Sequence, residues 1–211
     1  KSTSLDEELE TCKALLLTQE VENIISEAET YISAGNYVDS IRLLENKKEI
    51  YNDDKLISKL MEYCSLYSDF IINNINLEYA EGRHSDAIGE GSAALEVLGG
   101  ITEAENNIEN IKNIMKNVYV DWKDGYIASD DYIGAIQVLN DAVSTFPDDA
   151  VLQGNRQDCI NTYIDNVIAA ANSAVVEKNL ELATNICDIA YDVIGYDERL
   201  ISEYEYIDSM Q

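Results

Sequence analysis

Two sets of positions recur along this chain at an interval of 47 or 48 residues. The first is a small residue that follows a turn-like segment, with spacings of 47, 48 and 48: Ser40, Ala87, Ala135 and Ala183. The second is a break or turn position with the same spacings: Asn52, Gly99, Pro147 and Gly195. Such a fixed period is typical of repeat proteins, in which neighbouring units stack to bury one continuous core.

Between these marks the apolar residues recur at steps of three and four, as in Ile24, Ala28 and Ile32. That period predicts helices, and a single proline, Pro147, in 211 residues leaves them unbroken. Each period therefore holds a long helix, a tight turn, a short helix and a loop. The predicted long helices are 5–34, 55–81, 101–128 and 149–178, the short helices are 37–51, 84–98, 131–146 and 180–194, and a last helix is 197–211.

The segments between the predicted helices contain residues that end or begin helices. Gly35 and Gly82 can adopt the left-handed conformation that closes a helix. Aspartates at the starts of the following helices can accept backbone N–H bonds as N-caps: Asp53 or Asp54, Asp148 or Asp149, and Asp197. We therefore expect sharp helix ends at these places.

The third hairpin resembles the second half of a tetratricopeptide repeat. That family has an aromatic, a small, a large and a small residue in order, then a proline, and the matching residues are Tyr132, Ala135, Leu139, Ala142 and Pro147. The fourth hairpin matches at Ala183, Cys187 and Ala190, the first at Tyr37, Ser40 and Leu44, and the second at Ala87 and Ala94. Gly91 departs from the pattern, because it stands where the family has a large residue. The family's period is about 34 residues, so the extra 14 residues or so, about four helical turns, lengthen the first helix of each repeat here.

The resemblance implies an all-α fold, a right-handed α-α superhelix (solenoid) of four helical hairpins plus a C-terminal capping helix. We predict a single domain over 1–211, with hairpins near 5–51, 55–98, 101–146 and 149–194 and the capping helix at 197–211. Equivalent apolar positions are predicted to form its core: Tyr51, Leu98, Phe146 and Ile194, then Leu17, Cys64, Ile111 and Cys159, then Ile24, Ile71, Tyr119 and Val167.

The chain is strongly acidic, with 41 acidic and 14 basic residues and a net charge of −27. Nucleic acids and anionic lipids bind proteins through Lys and Arg, so neither is an expected partner. No apolar run approaches the 18 or so residues of a membrane span, and no membrane insertion of this segment is expected. The charge serves solubility or a basic protein partner.

The residues of enzymes and metal sites do not form a recognisable pattern. The four cysteines lack the spacing of a zinc site: Cys12, Cys64, Cys159 and Cys187. We call a set of positions one period apart a column, and three of the cysteines fall in apolar columns. We therefore expect three buried thiols and an exposed Cys12. His84 lies beside a turn and is expected to pack there. We find no phosphate loop, nucleophile elbow or metalloprotease motif, and predict no enzyme, no cofactor and no metal.

In the family, the first helices of the hairpins line an inner groove that binds peptides. Transferring positions by the period gives two polar columns and part of an apolar one as candidate partner-binding residues: Glu22, Asp69, Asn117 and Asp165; Glu29, Asn76, Asp124 and Asn172; and Tyr79. The apolar columns are Ile25, Ile72, Val120 and Ile168, and Ile32, Tyr79, Ile127 and Val175, with packing between repeats as the alternative role. These columns carry no Lys or Arg, which argues against capture of a carboxylate and for a segment with basic and apolar side chains.

The function expected from these features is a protein–protein interaction scaffold that binds a peptide or protein through its helical surface. The alternative is a structural or oligomerising module, or a spacer of a cell-envelope protein, with no groove ligand. For location, the first residue Lys1 and the low lysine content favour an extracytoplasmic part of an anchored or secreted protein, whereas four unpaired cysteines favour the cytoplasm.

Overall fold

The computed structural model describes the backbone of residues 2–210 and the side chains of residues 5–210, and within that part the chain is helical without strands. Its helices are α1 (Ser2–Ser33), α2 (Tyr37–Tyr51), α3 (Asp54–Ala80), α4 (His84–Leu98), α5 (Glu105–Ile127), α6 (Tyr132–Thr145), α7 (Ala150–Val176), α8 (Leu180–Ile194) and α9 (Glu198–Asp208). A short 3-10 turn, Thr102–Ala104, precedes α5. The predicted alternation of long and short helices, and with it the all-α helical-repeat fold, is confirmed.

The chain forms two compact units, residues 1–115 and 116–211. The first contains α1 to α4 and the beginning of α5. The second contains the rest of α5 and α6 to α9. The single domain predicted over 1–211 stays a prediction, and the two units are described separately.

All four turns inside the hairpins have the same backbone hydrogen bonds. In the first, Gly35 N–H donates to the Ile32 carbonyl and Asn36 N–H donates to the Tyr31 carbonyl, both at 2.9 Å. This is the Schellman arrangement, which requires a positive φ at the residue after the helix. Glycine supplies it at Gly35 and Gly82, with φ of 78° and 75°, but Asp130 and Lys178 adopt it at 58° and 60° in the third and fourth turns.

Replacing Lys178 with glycine should raise the free energy of unfolding by about 0.5–1 kcal/mol, because a β-carbon is disfavoured at positive φ. Asp130→Gly should raise the free energy of unfolding by a smaller amount, since aspartate tolerates this conformation better than lysine. Urea denaturation measures both changes. The control is Lys178→Ala, which removes the charge and keeps the β-carbon. An equal gain from alanine would show that the charge, not the backbone, is responsible.

The predicted aspartate caps are present at three helix starts. The carboxylate of Asp53 accepts from Lys55 N–H at 2.8 Å, and that of Asp197 accepts from Arg199 N–H at 2.9 Å. Asp149 accepts from both Val151 and Leu152 N–H groups, and these bonds and Lys116 lower its pKa. Each bond satisfies a backbone donor that the first helical turn leaves open.

In the second unit, the long helix α7 takes part in two cores. Its first half packs on the preceding short helix α6, in a cluster of Ala135, Ile136, Leu139, Cys159, Ile160 and Ile164. Its second half packs on α8 and α9, in a cluster of Val167, Ala171, Ala174, Ala183, Cys187, Ala190, Leu200 and Ile207. The added length of the long helix is therefore buried against the short helix that precedes it.

In the first unit, α3 is shared in the same way. Tyr37 at the start of α2 contacts the rings of Tyr67 and Phe70, with centroids 6.1 and 5.3 Å away. The far end of α3 meets α4, where the Tyr79 ring lies edge-on to His84 at 5.5 Å. His84 thus packs beside a turn, as expected.

The first helix α1 has no short helix before it within the described residues, and its first half is exposed. Leu17 is 44% exposed, whereas Cys64, Ile111 and Cys159 of the same column are at most 5% exposed. The prediction that Leu17 belongs to the core is wrong. Its equivalents are buried by neighbouring helices that have no counterpart on this side of α1 among the described residues.

The small residues of the repeat pattern lie at buried positions within the hairpins. Ser40, Ala87, Ala135 and Ala183 are fully buried. The Ser40 hydroxyl donates to the Ala28 carbonyl of α1 at 2.9 Å, which satisfies the only polar side chain in this column. These positions admit no large side chain without separating the two helices of a hairpin.

Candidate functional site

In the first unit, α1 and α3 lie side by side and carry five of the predicted partner-binding residues. Two acidic residues of α1 form ion pairs with lysines of α3: Glu22 with Lys55 at 3.6 Å and Glu29 with Lys59 at 3.3 Å. An open groove of about 350 Å³ runs beside these pairs and is lined by Ile25, Asp54, Lys55, Ser58, Lys59 and Glu62. The structure therefore places the first acidic residues of both columns in ion pairs with two lysines that line one groove.

The two lysines were not part of the predicted groove, and they change its charge. Lys59 also contacts Glu62 at 3.1 Å. The hydrogen bond to Glu62 raises the pKa of Lys59, against a smaller lowering by desolvation, so the lysine stays protonated. Carboxylates still outnumber lysines along this face, because Glu22, Glu29, Asp54, Glu62 and Asp69 stand against Lys55 and Lys59.

The other predicted residues of this unit extend along α3. Asp69, Asn76 and Tyr79 are exposed, with Tyr79 36% exposed and its ring against His84. The apolar positions beside them are half-buried: Ile25, Ile32 and Ile72. A polar edge and a partly open apolar strip thus lie next to each other on the same face.

In the second unit, two of the predicted residues contact the terminal helix α9 instead of an open groove. Asp165 pairs with Arg199 at 3.3 Å. The half-buried Asn172 side chain donates to the Ile168 carbonyl at 3.0 Å and to the Glu203 carboxylate at 3.4 Å. Asn117 and Asp124 on α5 are exposed, and Asp124 lies 2.6 Å from Lys123. Val120, Ile127, Ile168 and Val175 are half-buried.

Glu203 on α9 was not predicted as a special residue, although it is buried. Only 7% of it is exposed, and its Oε1 atom has no hydrogen-bond partner. Burial raises the pKa of this carboxyl, partly offset by the Asn172 amide. The charged form is therefore disfavoured where α9 packs on α7.

Replacing Glu203 with glutamine should stabilise the protein at neutral pH by about 1 kcal/mol, because a neutral amide removes the cost of a buried charge. A carboxyl whose pKa is raised by folding contributes stability below its unfolded pKa, about 4.3, and loses it as the pH rises through the folded value. The advantage of Glu203→Gln should therefore vanish below about pH 4. Thermal unfolding from pH 3 to 8 measures it, with exposed Glu205→Gln as the control. A Glu203→Gln protein that is less stable at pH 7 would contradict the account.

The three buried cysteines have the character expected from the sequence. Cys64, Cys159 and Cys187 are buried and Cys12 is exposed. Desolvation raises the pKa of Cys64 to about 12 and that of Cys187 to about 11, which disfavours the reactive thiolate. Among the described residues, no group of three His, Cys, Asp or Glu side chains is arranged to hold a metal ion. None of the described helices is long and apolar enough to cross a membrane.

These features define a protein of the helical-repeat class: helical hairpins with a Schellman turn between their two helices, and small buried residues at equivalent positions. Repeat arrays of this class present extended surfaces on which other proteins bind. No protein-family model matches the chain, and no curated protein sequence matches it.

A solved structure similar to the chain is the crystal structure of the TPR domain of P58(IPK). The sequence identity is 14% and the TM-score is 0.23, over 91% of this chain and 66% of that one. This chain therefore spans slightly less than two thirds of that structure's length.

Proposed function

We propose that the protein is an interaction scaffold and that the face formed by α1 and α3 binds an extended or helical segment with basic and apolar side chains. The observation that carries this proposal is the groove of about 350 Å³ beside Ile25, where Glu22 and Glu29, together with the lining carboxylates Asp54 and Glu62, outnumber Lys55 and Lys59. A groove of this composition attracts cations through the excess of carboxylates and accepts an apolar side chain against Ile25.

The ion pairs beside the groove define how a guest would enter it. Glu22 and Glu29 are about half exposed, as is Lys55, so these pairs are solvated and each contributes little to stability. A guest Arg or Lys can therefore replace Lys55 or Lys59 as the partner of a glutamate without a large loss. The released lysine would return to water.

The amide of Asn76 adds a means of holding a backbone. It lies on α3 between Asp69 and Tyr79, and an Asn side chain offers two donors and an acceptor to a peptide. Asp69 would pair with a basic side chain, and the Tyr79 ring would cover an apolar one. Asn117, Asp124, Asp165 and Asn172 belong to the other unit, and their predicted part in binding stays a prediction.

The test is a titration of the protein with a peptide of alternating basic and apolar residues, followed by fluorescence anisotropy. Asp69→Lys should weaken binding about tenfold or more, equivalent to about 1.4 kcal/mol, since it replaces attraction by repulsion on this face. The affinity should also fall as the salt concentration rises.

The matched control is Glu96→Lys, which makes the same charge change at an exposed position of the short helix α4. It should alter the affinity less than twofold (about 0.4 kcal/mol). Equal losses in the two variants would show attraction to the acidic protein as a whole. Binding of an acidic peptide as tight as that of the basic one would refute the proposed chemistry.

A further inference from the structure

A second open groove lies within the second unit, where the first turn of α6 meets α7 and α8. Its volume is about 330 Å³, and its walls include Tyr132 of α6, Tyr163 and Asn166 of α7, and Ile186 of α8. Both tyrosines are half-buried. We call it the α6–α7 groove, and its walls are largely apolar and aromatic.

The first unit shows what occupies the equivalent place there. The start of α6 is equivalent to the start of α2, 95 residues earlier, and α7 is equivalent to α3, 96 residues earlier. Tyr132 therefore corresponds to Tyr37. Tyr163 corresponds to Tyr67, whose ring centroid lies 6.1 Å from that of Tyr37. A third ring of the first unit, that of Phe70, stacks on Tyr37 with centroids 5.3 Å apart and an interplanar angle of 22°.

The second unit differs at the position of the third ring. Asn166 stands 96 residues after Phe70, and this shorter amide lines the α6–α7 groove together with Tyr132. Where the first unit has a phenyl ring on its tyrosine, the second unit thus has open space. The comparison of the two units indicates the shape of an occupant, which is a flat group that stacks on the Tyr132 ring.

The charge of the α6–α7 groove indicates the chemistry of that flat group. Asp130 and Asp131 line the groove, and none of the described residues that line it is Lys or Arg. The Asp131 carboxylate already accepts a hydrogen bond from Gly134 N–H at 2.9 Å, whereas Asp130 is exposed. A flat cation fits better than a neutral ring, because it can stack on Tyr132 and also pair with Asp130.

From this geometry we infer that the α6–α7 groove binds the guanidinium group of an arginine side chain within a polypeptide. A guanidinium is planar and always charged, and it both stacks on aromatic rings and pairs with carboxylates, whereas the ammonium group of lysine has no flat face. Free arginine would also bring an α-carboxylate, for which the lining offers no Lys or Arg, so an arginine within a polypeptide fits better. The site shares no residue with the groove of the proposed function.

The probe is N-acetyl-arginine amide, which lacks the charged backbone ends of the free amino acid, as an arginine within a polypeptide does. NMR of the tyrosine ring protons follows the titration into the millimolar range, because so small a ligand binds weakly. We expect saturable binding, and binding of N-acetyl-lysine amide and of free arginine that is weaker by about threefold or more. No saturable binding would overturn the inference. Equal binding of the lysine amide, or of free arginine, would overturn it as well.

A variant that fills the α6–α7 groove tests the location of the site. Asn166→Phe places the ring of the first unit beside Tyr132, so it should weaken binding of N-acetyl-arginine amide by about tenfold or more. The control is Gln157→Phe at an exposed position nine residues earlier, on the opposite side of α7, which should change the affinity less than about twofold. Circular dichroism shows whether both variants are folded. Equal losses in two folded variants would overturn the inference.

A charge variant tests the site without filling the groove. Asp130→Asn should weaken binding by about threefold or more, and asparagine tolerates the positive φ of 58° at this position. Asp148→Asn makes the same charge change at an exposed position of the same unit outside the groove, and it should change the affinity less than about twofold. Asp69→Lys, in the first unit, should also leave the affinity nearly unchanged, so failure at one site is distinguishable from failure at the other. Unchanged binding in Asp130→Asn, or an equal loss in Asp148→Asn, would overturn the inference.

Discussion

Replacing Leu139 with alanine should lower the free energy of unfolding by about 2–5 kcal/mol. Leu139 is fully buried in the cluster between α6 and α7, beside Ala135, Cys159 and Ile164. Truncation removes its transfer free energy and leaves a cavity that two rigid helices cannot close. Urea denaturation followed by far-UV circular dichroism measures the loss.

The matched variant for Leu139→Ala is Leu182→Ala, on α8 of the same unit. Leu182 is 41% exposed, so its truncation should lower the free energy of unfolding much less than the truncation of Leu139 does. Similar losses at the two positions would mean that the interior position is not tightly packed. They would contradict the assignment of Leu139 to the repeat core.

Replacing Gly91 with leucine, the kind of residue that the repeat pattern expects there, should destabilise the protein by about 2 kcal/mol. A β-carbon at Gly91 would lie 2.5 Å from Met115 Sδ and 3.3 Å from Ile75 Cδ1. Met115 is fully buried and fills the space that a large residue occupies in other repeats. The overlap should outweigh the gain of about 0.8–1 kcal/mol that leaving glycine gives a helix.

A double-mutant cycle tests that explanation. Met115→Ala removes the overlapping atoms, so Gly91→Leu with Met115→Ala should lose at least about 1 kcal/mol less than the sum of the single losses. Gly89→Leu, on the same helix as Gly91, is the control, because a β-carbon at Gly89 would meet nothing within 4 Å. It should not destabilise. Additive losses would show that Met115 does not compensate for Gly91.

The architecture was predictable because the repeat appears in several independent features. Residue spacing, helical periodicity and aspartate caps all indicated the same helix ends, and Asp53, Asp149 and Asp197 cap as expected. At the left-handed turns of Asp130 and Lys178, the sequence has no glycine that would predict a positive φ. Only their equivalence to Gly35 and Gly82 locates them.

The candidate site was less predictable, because it depends on residues from neighbouring helices. The transferred columns contained no lysine, yet Lys55 and Lys59 reach Glu22 and Glu29 from the next long helix. Arg199 reaches Asp165 in the same way. The period identifies equivalent positions within repeats, but it does not specify which long side chains cross between them.

Gly91 and Leu17 show two different ways in which a pattern and a structure diverge. At Gly91 the pattern changes, and Met115 on another helix supplies the missing volume. At Leu17 the pattern is kept, but the neighbour that buries its equivalents is missing from the described chain. Sequence periodicity indicates that a position is suited to burial. The side chain is buried only where a neighbouring helix packs on it.

The packing of α3 and α7 against the short helices both before and after them has a consequence for how such a chain can change in evolution. A duplication or deletion of one whole period places a short helix before a different long helix. The first half of that long helix already has the apolar residues that pack on a short helix. A change of half a period would instead join two helices with mismatched faces. Copy number is therefore free to vary in units of 47 or 48 residues, and the genetic breakpoint can fall anywhere within the period.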